Sequence, residues 1–72
     1  MREVTIEIWS SKPREHDAYT RYERDTLLVE ISKTYNTESG NRAMSFARQF
    51  VKAMRRNGEL ENREVVTISV AN

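Results

Sequence analysis

Apolar and polar residues alternate strictly along residues 3–9, EVTIEIW, with Val4, Ile6 and Ile8 on one side and Thr5, Glu7 and Trp9 on the other. A period of two built from β-branched residues predicts a half-buried strand. The alternation returns in residues 26–35, TLLVEISKTY. There Leu27, Val29 and Ile31 take the inner side, continued by Lys33 and Tyr35, and Leu28, Glu30, Ser32 and Thr34 take the outer side. A third run, residues 65–71, VVTISVA, turns Val66, Ile68 and Val70 inward and Val65, Thr67 and Ser69 outward. Between the second and third runs the period changes. In residues 39–58, SGNRAMSFARQFVKAMRRNG, the side chains of Ala43, Phe46, Ala47, Phe50, Val51 and Met54 recur at helical spacing. They form a single apolar stripe about 140° wide. Ser39, or Thr37 in its place, supplies an N-cap oxygen for the first turn. Asn57 and Gly58 close the helix, because glycine enters the left-handed region without a Cβ penalty. Phe50 is expected to anchor the helix to the sheet.

The element order is β-β-α-β, which predicts an α+β domain with a three-stranded antiparallel sheet. Strand order 2-1-3 is favoured, since it centres the most regular strand. One helix then covers one face of the sheet and leaves the other open. Residues 10–25, SSKPREHDAYTRYERD, show no period, and Pro13 and dense charge break the pattern. The segment is long for a hairpin connection. It is either an extended loop or a continuation of both strands into a protruding ribbon.

Composition narrows the chemistry. The chain has 72 residues and no cysteine, which predicts one small domain, 1–72, without disulfides or thiolate chemistry. His16, the single histidine, lies between Glu15 and Asp17 in the charged segment and cannot build a usual zinc site. No glycine-rich phosphate cradle and no paired acid and base can be placed. The expectation is therefore a protein that is not an enzyme and holds no cofactor or metal. No apolar run approaches the ~20 residues of a membrane span, and the N-terminal alternation lacks a signal-peptide core, so a cytoplasmic protein is expected.

Net charge is +1 but unevenly spread. Residues 38–57 hold five basic residues, Arg42, Arg48, Lys52, Arg55 and Arg56, against one acid, Glu38. Arg48, Lys52, Arg55 and Arg56 share the polar helix face and could sit on phosphates. Arg55 and Arg56 also complement the helix dipole at its C-terminus. On the outer sheet face, Trp9, Leu28 and Val65 are large apolar groups that no predicted element covers, apart from partial cover of Trp9 by residues 10–25. In that segment Tyr19, Arg21, Tyr22 and Arg24 interleave with acids. Tyrosine and arginine are favoured at binding hot spots, and the cancelling charges suit a protein partner better than a phosphate track.

The layout of hairpin, one helix and last strand, with RAMSFARQF as its packed helix, resembles small phage-encoded accessory proteins that bind and block a host protein. Phage inhibitors of bacterial RNA polymerase are of this kind. They use an acidic patch where this chain has a basic helix, so no residue role is carried over. The resemblance implies a non-catalytic protein-binding module of phage or mobile-element origin that modulates or inhibits a host protein, defence proteins included. Apart from the resemblance, residue type and placement on or near the exposed face make Trp9, Tyr19, Arg21, Tyr22, Arg24 and Leu28 the partner-binding candidates. A homodimer through the open face or a strand edge is expected on a chain this short. The alternative is a nucleic-acid-binding protein that uses the basic helix face and the loop arginines.

Overall fold

The computed structural model describes residues 1–15 and 18–71; His16 lies outside the described residues. Strand β1 spans Arg2–Glu15, β2 Thr20–Tyr35, helix α1 Gly40–Arg56 and β3 Val65–Val70. The sheet has order β2-β1-β3, with β1 antiparallel to both neighbours. Both edge strands are thus parallel to each other, and α1 carries the chain from one edge to the other across β1.

Residues 10–25 resolve in favour of the ribbon. β1 and β2 stay paired to Glu15 and Thr20, whereas β3 accompanies β1 only as far as the Trp9–Val65 pair. Beyond that point β1 is itself an edge, which is why Pro13, lacking an N–H, is tolerated inside a strand. Ion pairs Lys12–Asp25 (3.8 Å) and Arg14–Glu23 (3.5 Å) stitch the ribbon. It draws the molecule out to 44 × 26 × 19 Å, with a radius of gyration of 14.0 Å, against about 11 Å for a compact chain of this size.

Ser39 is the N-cap: its Oγ accepts from the Arg42 N–H at 3.2 Å. Thr37 acts one step earlier, its Oγ1 accepting from the Ser39 N–H at 3.1 Å. The N-terminal amine donates to the Glu38 carboxylate, and that bond, then its charge, holds the carboxyl below its ordinary range. At the other end Gly58 has φ 76°. Its N–H reaches the Arg55 carbonyl and the Glu59 N–H reaches Met54, the two bonds of a Schellman closure.

The core is narrower than the alternation suggests. Val4, Ile6 and Ile8 of β1 pack against Ala43, Ala47 and Val51 of α1, with Leu60 of the following loop closing one end. Val66, Ile68, Val70, Ile31, Phe50 and Met54 border this core half-buried. The helix lies over β1 and β3 rather than over all three strands. A helix is about 10–12 Å across with its side chains and strands lie about 4.8 Å apart, so one helix covers two strands and leaves the third. Val29 accordingly stays 47% exposed on the inner face of β2, and Phe46 stays 42% exposed on the helix flank. Lys33 on the inner face of β2 reaches toward the helix flank, with Nζ 4.0 Å from the Phe50 ring centroid.

Tyr35 ends β2 against Phe46, the ring centroids 5.4 Å apart. Its Oη is covered and has no hydrogen-bond partner, and burial raises its pKa. Tyr35→Phe is therefore expected to stabilise the protein by about 1 kcal/mol, since an unsatisfied buried hydroxyl costs that much or more. A thermal melt checks the direction. The raised pKa favours the neutral phenol in the folded state. The stability it contributes is present below the unfolded value near 10 and is lost as pH rises through the folded one. The phenylalanine variant should lack that alkaline component.

Candidate functional site

The outer sheet face carries the site. Two register shifts in the β1–β2 ladder shape it, one between Ile8 and Trp9 and one between Trp9 and Ser11. Val29 stands opposite Ile8, but Leu27, not Leu28, stands opposite Trp9. An extra β2 residue is thus inserted there, and a bulge puts both of its residues on the side of the residue they face. Leu27 leaves the inner face and joins Leu28 and Trp9 outside. This corrects the simple alternation, which placed Leu27 in the core. The second shift restores parity, so that Arg24 faces Ser11 and Tyr22 faces Pro13. Leu27 is 39% and Leu28 50% exposed, and Tyr22 is exposed beside them.

Trp9 is half-buried, and covered by its own strand pair rather than by a loop. The Arg24 guanidinium lies 5.0 Å from its ring centroid. Its Nε1–H donates to Thr67 Oγ1 at 3.2 Å, and that hydroxyl donates to Glu7 Oε1 at 3.1 Å. A second guanidinium, of Arg63, stacks on Tyr22 at 4.8 Å, and the Arg63 carbonyl accepts from the Ser11 hydroxyl. These contacts hold both aromatic rings in place. Beside them opens a shallow cleft of about 300 Å³ lined by Ser11, Pro13, Tyr22, Leu28, Glu61 and Arg63. Glu3, Glu7 and Glu30 share the outer parity along the sheet, so the apolar patch has an acidic flank at one end and arginines at the ribbon end.

Of the residues singled out in the sequence, Trp9, Tyr22, Arg24 and Leu28 come together here. Tyr19 lies 60% exposed near the ribbon tip. Arg21 pairs with Arg14, a position whose parity puts it on the ribbon's reverse side, away from Tyr22. Leu27 and Arg63 belong to the site although the sequence reading omitted them. The run Leu27-Leu28-Val29 was the available signal for the first: three apolar residues in succession violate alternation and mark a bulge. Arg63 gave no such sign. Arg48, Lys52, Arg55 and Arg56 are all exposed on α1, across the body from this face.

Among the described residues no group of three or more His, Cys, Asp or Glu side chains could hold a metal ion, and no helix is long and apolar enough to cross a membrane. Comparison with known proteins yields no match to a family model, a curated protein or a solved structure.

Proposed function

We propose that this chain is a non-catalytic protein-binding module that seats its outer sheet face on a cytoplasmic host protein. It is of the kind that phages and mobile elements use to modulate or inhibit their host, defence proteins included. The observation that carries the reading is the apolar patch of Leu27, Leu28 and Tyr22, exposed around a half-buried Trp9, with both aromatic rings held by arginine stacks. Aromatic anchors already held in place lose little entropy on docking, and Trp, Tyr and Arg are the residue types that dominate interface energy. The partner surface that fits has an apolar centre with basic residues facing Glu3, Glu7 and Glu30.

The test is capture from nuclease-treated bacterial lysate by the wild-type chain and by Leu28→Asp. Leu28 is half-exposed, so the charge should disrupt docking and spare the fold, which circular dichroism checks. A protein retained by wild type and lost with Leu28→Asp supports the reading. Equal capture by both, or capture abolished by nuclease, contradicts it. If the patch instead seals against a second copy, sedimentation gives a dimer that Leu28→Asp dissociates, and the site is a homodimer interface with no host partner.

A further inference from the structure

The outward face of α1 is the second surface that this fold leaves unexplained. Asn41, Ser45, Arg48, Gln49, Lys52, Arg55 and Arg56 fall within a sector about 120° wide at 100° per residue. The helix contains no acid between Gly40 and Arg56. Among the described residues, no carboxylate lies within ion-pair distance of Arg48, Lys52, Arg55 or Arg56; the pairs formed are Met1–Glu38, Lys12–Asp25 and Arg14–Glu23.

The helix dipole accounts for Arg55 and Arg56 in the last turn, but not for Arg48 and Lys52. Arg48–Lys52 and Lys52–Arg56 are like-charge pairs at i, i+4, and Lys52–Arg55 is one at i, i+3, each of which destabilises a helix. Alternating acids would have been favourable at the same spacing. The first turn, where the helix dipole attracts negative charge, carries Arg42 instead. The helix therefore bears repulsion that an anionic ligand would relieve.

We propose that this face binds the phosphate backbone of duplex nucleic acid, independently of the protein-binding face on the opposite side of the molecule. The interleaved amides and hydroxyl of Asn41, Gln49 and Ser45 are donors of the kind that position a protein on phosphate and sugar. A lipid surface fits less well. Interfacial helices insert their apolar face, and here Ala43, Ala47 and Val51 are committed to the core. Too few polar groups face outward to read bases, so binding is set by charge and is indifferent to sequence.

The experiment is fluorescence anisotropy with two DNA duplexes of unrelated sequence, using the full chain, the variant R48A/K52A/R55A/R56A, Lys52→Glu and Leu28→Asp. Four phosphate contacts predict that wild-type affinity falls about 150-fold between 50 and 200 mM salt, equally for both duplexes. The fourfold alanine variant should lose this binding and keep its fold, alanine being the strongest helix former. Lys52→Glu should also lose binding while raising Tm by about 4–8 °C, because three repulsive pairs become attractive. That opposition of stability and binding is something a purely structural role would not produce. Leu28→Asp should bind DNA as wild type does. No duplex binding by wild type, or binding that survives the fourfold alanine change, overturns the proposal. So does equal or tighter binding to phosphatidylserine vesicles or polyglutamate.

Discussion

Ile6→Ala is expected to cost about 2–5 kcal/mol, the largest loss of any single core truncation in this chain. Ile6 is the largest fully buried side chain, 0% exposed. It sits on the central strand where all three strands pair, with Ile31 on one side and Ile68 on the other. Its removal leaves a cavity whose walls are two paired strands and a helix, none of which can collapse far. The total stability available to a chain of this length is about 4–11 kcal/mol, so the loss is a large share of it. Phe50→Ala should cost clearly less than Ile6→Ala. The sequence made Phe50 the anchor, but its ring lies at the open flank, half-buried under Lys33. Val29→Ala should cost less again, since Val29 is 47% exposed. Urea midpoints of the three variants check this ranking. A Phe50→Ala midpoint as low as that of Ile6→Ala would mean that the helix lies over β2 after all.

That ranking marks where sequence reading was sufficient. Strict alternation in residues 3–9 placed Val4, Ile6 and Ile8 in the core because a central strand has neighbours on both edges and a helix above it. The 3.6 period and Ser39 placed α1 to within a residue at its start, since capping and amphipathicity are local. The order 2-1-3 followed from centring that strand. Periodicity does not encode width, however. It shows which side of β2 is apolar, not that a single helix is too narrow to reach it, and so it buried Val29 and Phe46 in advance. The ribbon was ambiguous for a related reason. Residues 11–15 and 20–24 are solvated on both faces, which removes the hydrophobic alternation on which strand recognition rests.

The candidate site was legible residue by residue but not as an arrangement. Trp9, Tyr22, Arg24 and Leu28 were visible as apolar or hot-spot types away from the inner face. Their convergence depends on two bulges, which are features of ladder register. Leu27 crossed to the outer face for that reason alone. Arg63 came to Tyr22 through the turn before β3, a contact 41 positions away in sequence that no local pattern reports.

Trp9→Ala is expected to weaken partner binding by at least ~2 kcal/mol, about thirtyfold. Trp9 has the largest side chain in the patch and is held on two sides, by Arg24 and by Thr67, whose hydroxyl is in turn fixed by Glu7. Preorganisation of this kind puts the binding energy in one or two residues rather than spreading it. One of Leu27, Leu28 and Tyr22 should reach a similar cost, and the rest should stay near neutral as a water-excluding rim. Arg24→Ala should act partly through Trp9, so a double-mutant cycle between the two should show a coupling of about 0.5–3 kcal/mol. Arg21→Ala, on the reverse side of the ribbon, should change little. R48A/K52A/R55A/R56A should leave partner affinity intact, because the helix face points the other way. Isothermal titration of each variant against the captured partner measures all of these. An even profile across the outer face, or a loss confined to the helix variant, would place the interface elsewhere and leave the Trp9 network as a fold-stabilising contact.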